Sequence, residues 1–314
     1  MQKIISIVIS AFNEEGCVEE LAIQLKKVFA QNNNYTFEVI MVDNGSTDRT
    51  FEKLFEIHRS DDKFRILQLA RNFGMDGGIT AGLKYAKGDA AVIMTANLQD
   101  TPSLITEFIK KWEEGYENVY GIVKKRTGKG LIRRMNSQIF YFIINRMTGS
   151  LIPKNVSDFR LVDRKIYQTI NVMDERNRFL RGMFAWVGFK SVGIEYERGK
   201  RFAGKSHALS KNVFSLAIRG IFAFSYVPIR FIAASGFLLS LFSFIFLIIS
   251  ILGFFIKGVP FKGYGMIVSL IVFMFSLVFF ILGILGQYIA QIYEEVKARP
   301  NYIVKKLVGL TEAK

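Results

Sequence analysis

The first 123 residues alternate short apolar runs with stretches of helical periodicity. Ile4–Ala11 is a β-branched run that stops at Phe12-Asn13-Glu14-Glu15. Val18–Phe29 then places Val18, Leu21, Leu25, Val28 and Phe29 on one helical face, with Glu19, Glu20, Lys26 and Lys27 mostly off it. A second strand, Phe37–Val42, runs into Asp43-Asn44-Gly45-Ser46-Thr47-Asp48, and a helix follows to about His58. Phe64–Leu69 is a third strand, ending near Arg71-Asn72-Phe73-Gly74, and a Gly-rich helix over Gly77–Ala86 leads to a buried strand at Ala90–Met94. That strand empties into Thr95, Ala96, Asn97, Gln99 and Asp100, and one more strand is expected at Asn118–Val123. Such alternation predicts an α/β domain with a Rossmann-like, parallel, doubly wound sheet.

The pattern changes completely at Phe231. Residues 231–256 form 26 positions without a charge, and 266–293 form 28 more. Runs of 18 or more mark transmembrane helices. The nine-residue link Lys257–Gly265 permits only a tight hairpin. Two spans return the chain to the side it left. The expected organisation is a cytoplasmic α/β domain over 1–200, a basic juxtamembrane segment over 201–230, spans at 231–256 and 266–293, and a cytoplasmic tail over 294–314. This multi-pass arrangement in the inner membrane follows the positive-inside rule, with the two lysines of the outer loop weakening the argument slightly. A soluble buried hairpin is the alternative.

Charge sharpens the picture. The chain of 314 residues carries 42 Lys and Arg against 27 Asp and Glu, a net +15, so an anionic partner is expected. Six basic residues and no acid lie in Lys124–Arg134, and five more in Gly199–Gly220. The segment between, Met135–Met147, reads either as an amphipathic helix at a membrane surface or as a plain core helix. These clusters precede the apolar spans, which favours a lipid surface or phosphorylated substrate over nucleic acid. Cys17 is the single cysteine, so no intrachain disulfide or zinc cluster is possible. The N-terminal MQKIISIVIS does not read as a secretory signal. GxGxxG does not occur, which removes local support for a dinucleotide cofactor.

Three predicted strands end in acids or amides: Asn13/Glu14, Asp43 and Asn97/Asp100. In open α/β sheets ligands bind beyond the carboxyl ends of strands, so these side chains form a candidate pocket for a base and ribose. The simpler alternatives are a turn at Asp43-Gly45-Ser46 and a helix cap at Asp100-Thr101-Pro102. Arg133 and Ser137 share a helical face, with Arg126 one short loop upstream, and Arg201, Lys205 and Ser206 form a second set. Guanidinium forks match phosphate oxygens, while a solvated basic face on acidic lipid explains the same residues. Asp158, in Ser157-Asp158-Phe159-Arg160-Leu161, is either a base or orienting group, or a salt-bridge partner of Arg160 or Arg164.

Several ordered segments now coincide: SAFNEE (10–15), VDNGSTDRT (42–50), ARNFG (70–74), ITAGLKYAKGDAAVIMTANLQDTP (79–102), SDFRLVDRK (157–165) and RFAGKS (201–206). Together they resemble the family 2 inverting glycosyltransferases of GT-A fold. More narrowly they resemble the polyisoprenyl-phosphate glycosyltransferases, the dolichol-phosphate mannose synthase group with its bacterial undecaprenyl-phosphate glucosyltransferase branch. The resemblance spans nearly the whole chain and includes the C-terminal hairpin. It implies transfer of a sugar, glucose or N-acetylglucosamine, from a UDP-sugar to a polyprenyl phosphate, for glycosylation of the cell envelope. Phe12, Glu14 and Asp43 would surround the nucleoside, with Asn97 and Gln99 by the diphosphate. Asn97, Gln99 and Asp100 would carry Mg²⁺ or Mn²⁺. Arg126, Arg133, Ser137, Arg201 and Lys205 would hold phosphates, and Asp158 falls where the bacterial branch has its proposed catalytic acid. Self-association of the membrane part is expected.

One motif departs from the pattern. The family's Asp-Ala-Asp-Leu-Gln-Asp is Thr95-Ala96-Asn97-Leu98-Gln99-Asp100 here, so both acids of the metal-binding pair are neutral. A second reading follows from that change: a weak or inactive homologue acting as a membrane scaffold or lipid-phosphate-binding protein. A processive polysaccharide synthase is a third, opposed by the two spans and by the absence of a QxxRW-type motif.

Overall fold

The computed structural model describes residues 2–124, 155–176, 178–199 and 263–311, together with isolated positions between 202 and 256. The basic segment over 125–154 and nearly all of 200–262 lie outside the described residues. With them lie Arg126, Arg133, Ser137, Arg201, Lys205, the segment read as an interfacial or a core helix, and all but a few positions of the 231–256 span.

Among the described residues eight strands form one sheet: β1 (Ile4–Ala11), β2 (Thr36–Asp43), β3 (Phe64–Leu69), β4 (Ala90–Thr95), β5 (Asn118–Val123), β6 (Val156–Asp163), β7 (Ser191–Tyr196) and β8 (Val304–Val308). Their order is β7-β5-β6-β4-β1-β2-β3-β8. The run β4-β1-β2-β3 is parallel, as the alternation predicts. The sheet as a whole is mixed. β6 inserts antiparallel between β4 and β5, and β8 adds antiparallel to the free edge of β3. Each of those strands arrives from far along the chain, and no local periodicity announces such a partner. The mixed α/β sheet matches the expected GT-A architecture, and the 304–308 part of the expected tail belongs to it.

Two apolar layers sandwich the sheet, because strands buried on both faces alternate their side chains between them. Ile5, Ile7 and Ile9 of β1 meet α1 (Val18–Gln31), α2 (Thr50–Ser60) and α4 (Leu104–Glu113) through Leu21, Leu25, Leu54, Ile105 and Phe108. On the other face, Val8, Ile40, Val42 and Ile93 meet α3 (Gly74–Tyr85), α5 (Arg164–Val172) and α6 (Leu180–Trp186). Two glycines in α3 allow its close approach to β1 and β2. A Cβ on Gly82 would lie 2.3 Å from Val8 Cγ1, and one on Gly78 2.5 Å from Ser10 Oγ.

The last helix, α7 (Tyr264–Lys297), runs 34 residues and contains the expected 266–293 span. Its Phe273–Lys297 portion is, among the described residues, the one helix long and apolar enough to cross a membrane. Ile271, Phe273, Phe275, Phe279 and Leu282 are exposed along it. At its charged end the Glu295 carboxylate accepts from Arg176 N–H at 2.9 Å, and Asn301 Nδ2 donates to Glu175 O at 3.0 Å.

Candidate active site

Register brings the strand ends together. Ala11 lies opposite Asp43, and Ser10 opposite Thr95, so the loops leaving β1, β2 and β4 share one edge of the sheet. Asn13 N–H donates to Ser46 Oγ at 3.1 Å, and Thr47 N–H returns to Asn13 Oδ1 at 2.8 Å. Glu14 N–H donates to Thr50 Oγ1 at 2.9 Å. Asn13 adopts a left-handed φ of 54°, a region that Asn tolerates better than most residues. Phe12 is half-buried on this loop and Glu14 buried behind it.

Asp43 is fully buried at the end of β2, and both of its oxygens are occupied. Oδ1 accepts from Ser46 N–H at 3.0 Å and Oδ2 from Gln68 Nε2 at 3.1 Å. Gly45 follows at φ +72°, where an added Cβ would meet the Arg71 backbone at 2.4 Å. Asn44 ties the same loop to α3, accepting from Phe73 N–H at 3.0 Å and donating to Gly74 O at 2.7 Å. The turn reading of this loop holds: a rigid turn fixes the Asp43 carboxylate.

The Thr95–Asp100 turn is stiffened from within. Asn97 Oδ1 accepts from Thr95 Oγ1 at 3.2 Å and from Gln99 N–H at 3.1 Å. Leu98 sits at φ 53°, an uncommon conformation for a γ-branched residue and the kind of backbone strain that surrounding structure must hold in place. Asp100 is 2% exposed and bonded to the Tyr196 hydroxyl, with Arg198 Nε and Nη2 at 3.0 and 3.2 Å. Burial and then Asp100 raise the Tyr196 phenol well above its ordinary range.

Asp158 stands on β6, two positions beyond Val156, and faces a guanidinium cluster. Arg181 of α6 grips it with two bonds, Nε to Oδ1 at 3.1 Å and Nη2 to Oδ2 at 2.7 Å. Burial opposes ionisation of Asp158, yet Arg181, Arg160 and Arg198 outweigh it and hold the carboxyl below its usual value. Its ion pair is therefore with Arg181. Arg164 instead meets Asp89 at 3.2 Å, and buried Arg160 donates to Ser157 O at 3.1 Å while covering the Phe184 ring at 4.6 Å. Burial drives the Arg160 guanidinium down to about 10, against the pull of Asp158, and it stays charged at neutral pH.

Three participants have no sequence signal of their own. Arg181 and Arg198 reach the site from α6 and the end of β7. Asp76, in the first turn of α3, meets the backbone of Leu180 and the Asp158 charge. Burial, then Asp158, raise the Asp76 carboxyl to about 7, against Arg181 and Arg160.

The family model for glycosyl transferase family 2 matches residues 6–170. The chain belongs to glycosyl transferase family 2. An uncharacterized glycosyltransferase of Synechocystis is 38% identical over 306 residues, covering 98% of this chain and 96% of the relative. A prophage-derived bactoprenol glucosyl transferase of Shigella flexneri is 34% identical over 302 residues, covering 96% and 97% respectively. A mycobacterial crystal structure superposes with a TM-score of 0.50 at 15% identity, covering 70% of this chain and 73% of that one, a likeness of fold.

Family resemblance implies Mg²⁺ or Mn²⁺, and the donor set at the β4 turn does not fit such an ion. Hard divalent cations are held in such sites by at least one or two carboxylates, whereas Thr95, Asn97 and Gln99 are neutral and Asp100 is committed to Arg198 and Tyr196. Among the described residues no group of three or more His, Cys, Asp or Glu side chains is arranged to hold a metal.

Proposed function

We propose that the protein transfers glucose, with inversion, from UDP-glucose to a polyprenyl phosphate on the cytoplasmic face of a membrane. One observation carries the reading: register collects Phe12, Glu14, Asp43 and the Asn97–Gln99 turn on one sheet edge, with Asp158 and its arginines at the same site. The choice of glucose and of a polyprenyl acceptor rests on relatives named bactoprenol glucosyl transferase, matched over 96% of this chain. N-acetylglucosamine is the second sugar to test.

In this reading Phe12, Glu14 and Asp43 surround the nucleoside, Asp43 by fixing the turn beneath it. Asn97 and Gln99 lie by the diphosphate. An acceptor phosphate oxygen attacks the anomeric carbon from the face opposite UDP. The new C–O bond forms as the bond to the β-phosphate oxygen breaks, and UDP leaves with the electron pair. The acceptor is already an anion, so most of the task is positioning and stabilising the leaving charge. Asp158, kept ionised and aimed by Arg181, orients the acceptor or takes its remaining proton. Arg126, Arg133, Ser137, Arg201 and Lys205 are assigned to the lipid phosphate. The membrane part is assigned two spans, 231–256 and 266–293, and assembles as a homo-oligomer.

The test is transfer from a panel of labelled UDP- and GDP-sugars to undecaprenyl phosphate by the purified full-length protein. A chloroform-soluble labelled product from UDP-glucose is the expected result. No product from any donor, with folded protein that still binds lipid phosphate, would replace this reading with a scaffold.

A further inference from the structure

The β4 turn carries a charge balance that differs from that of a metal site. A carboxylate pair at positions 95 and 97 would place two negative charges beside the donor diphosphate and require a dication to offset them. Thr95 and Asn97 place none there, and the Asn97 oxygen is already used twice inside the turn, by Thr95 Oγ1 and Gln99 N–H. An amide oxygen has two lone pairs, so little acceptor capacity is left for a cation.

A fixed cation stands against the same turn. Gly199 N–H donates to Gln99 O at 2.9 Å, pinning the segment that leaves β7 onto the turn. The preceding residue, Arg198, is thereby held with Nε 3.0 Å and Nη2 3.2 Å from the two oxygens of Asp100. Its side chain is 30% exposed whereas that of Asp100 is 3% exposed, so the arginine, unlike its partner carboxylate, keeps surface that a ligand can reach. A guanidinium presents five N–H donors in a planar fork, and one carboxylate occupies only one edge of it. Arg181 and Arg160 add positive charge around Asp158.

We propose that this site binds the donor diphosphate without a divalent cation, with the Arg198 guanidinium, fixed by Asp100 and the Gly199–Gln99 hydrogen bond, in the place of the metal. The inference rests on the nucleotide-sugar reading above. It separates this chain from relatives that keep two acids in the turn, because restoring those acids should restore the need for the ion.

The experiment is calorimetric titration of the purified full-length protein with UDP, in EDTA and in Mn²⁺, with the free Mn²⁺ signal followed by electron paramagnetic resonance. The expected dissociation constants differ by less than threefold between the two conditions, and the Mn²⁺ signal is not depleted by protein plus UDP. Thr95→Asp combined with Asn97→Asp should weaken UDP at least tenfold in EDTA and recover it in Mn²⁺. Arg198→Gln should weaken UDP at least tenfold in both conditions. If that variant fails to fold, the wild-type comparison and the double variant still decide. UDP binding by the wild type that strengthens threefold or more with Mn²⁺ overturns the inference while leaving the nucleotide reading intact. No UDP binding in either condition overturns the nucleotide reading, and the inference with it.

Discussion

Arg181 and Asp158 meet edge to edge, with Nε on Oδ1 at 3.1 Å and Nη2 on Oδ2 at 2.7 Å. Both bonds end on the one carboxylate, so a guanidinium fork fixes its plane as well as its charge. Arg181→Ala should lower kcat by roughly 10- to 100-fold with a smaller change in the donor KM, because Asp158 keeps its charge from Arg160 and Arg198 but loses its aim. Arg181→Lys should rescue poorly, since an ammonium cannot make the paired bonds. Asp158→Asn should cost more, on the order of 10²- to 10⁴-fold. Steady-state transfer kinetics on the three variants check this order. Equal losses in KM and none in kcat would assign the pair to binding alone.

That pairing also shows where sequence reading stops. Asp158 stands out in the sequence because it is an acid in a basic neighbourhood, and Arg160 and Arg164 are its near neighbours. In the fold Arg160 is buried over Phe184, and Arg164 turns to Asp89 at the start of α5. The partner comes instead from α6, 23 positions away, along a path that no spacing rule encodes. The strands β1 to β5 were legible because each is a compact apolar run with a polar stop. β6 and β8 were not, because an antiparallel strand inserted from a distance owes its place to partners rather than to its own pattern. The strand stops at Asp43 and Thr95 were legible, and register puts the loops after them on one sheet edge. The commitment of Asp100 to Tyr196 and Arg198 depends on the end of β7, which only the folded chain brings there.

Asp76 gives the fold a pH signature. Its carboxyl sits at about 7 against an ordinary 3.8, raised by burial and by Asp158. A raised acid binds its proton more tightly in the native state, so stability is highest at low pH in this window and falls as pH rises from about 4 to about 7. The full shift corresponds to roughly 4 kcal/mol, which partial solvent access reduces to on the order of 2 kcal/mol. Asp158 has the opposite sign, but its lowered value confines the effect to pH below the ordinary carboxylate range. Thermal unfolding midpoints should therefore drop between about pH 4 and about pH 7, and Asp76→Asn should flatten that slope. An unchanged slope in the variant would place the titrating group elsewhere.

The seat of α3 on the sheet depends on two missing side chains. A Cβ at Gly82 would lie 2.3 Å from Val8 Cγ1 and 3.0 Å from Val42 Cγ2, deep in the second apolar layer. Helix propensity favours Ala over Gly by about 1 kcal/mol, and overpacking costs about 1 to 3 kcal/mol. The steric cost wins, so Gly82→Ala should lower stability by about 1 kcal/mol and Gly82→Val by more. Because α3 also carries Asp76 and contacts Asn44, the same variants should reduce nucleotide affinity. Denaturation and UDP titration on one preparation measure both effects.

Pairing of β8 with β3 constrains how the chain meets a membrane. Ile66 lies opposite Val308 and Leu67 opposite Leu307, so Val304–Val308 and the α/β domain are on one side. Any crossings between β7 and β8 must then be even in number. At 1.5 Å per residue α7 is roughly 50 Å long, enough for one crossing of a core of about 30 Å. In the proposed reading the second crossing is 231–256. Cys17, the single cysteine, is 1% exposed and should stay silent to a membrane-impermeant maleimide. Asp62→Cys and Lys305→Cys should both label in inverted vesicles and neither in spheroplasts, while Lys262→Cys in the link should do the reverse. Labelling of Asp62→Cys and Lys305→Cys from opposite sides would break the β3–β8 pairing. Labelling of Lys262→Cys from the domain's side would leave the pairing intact and remove the hairpin.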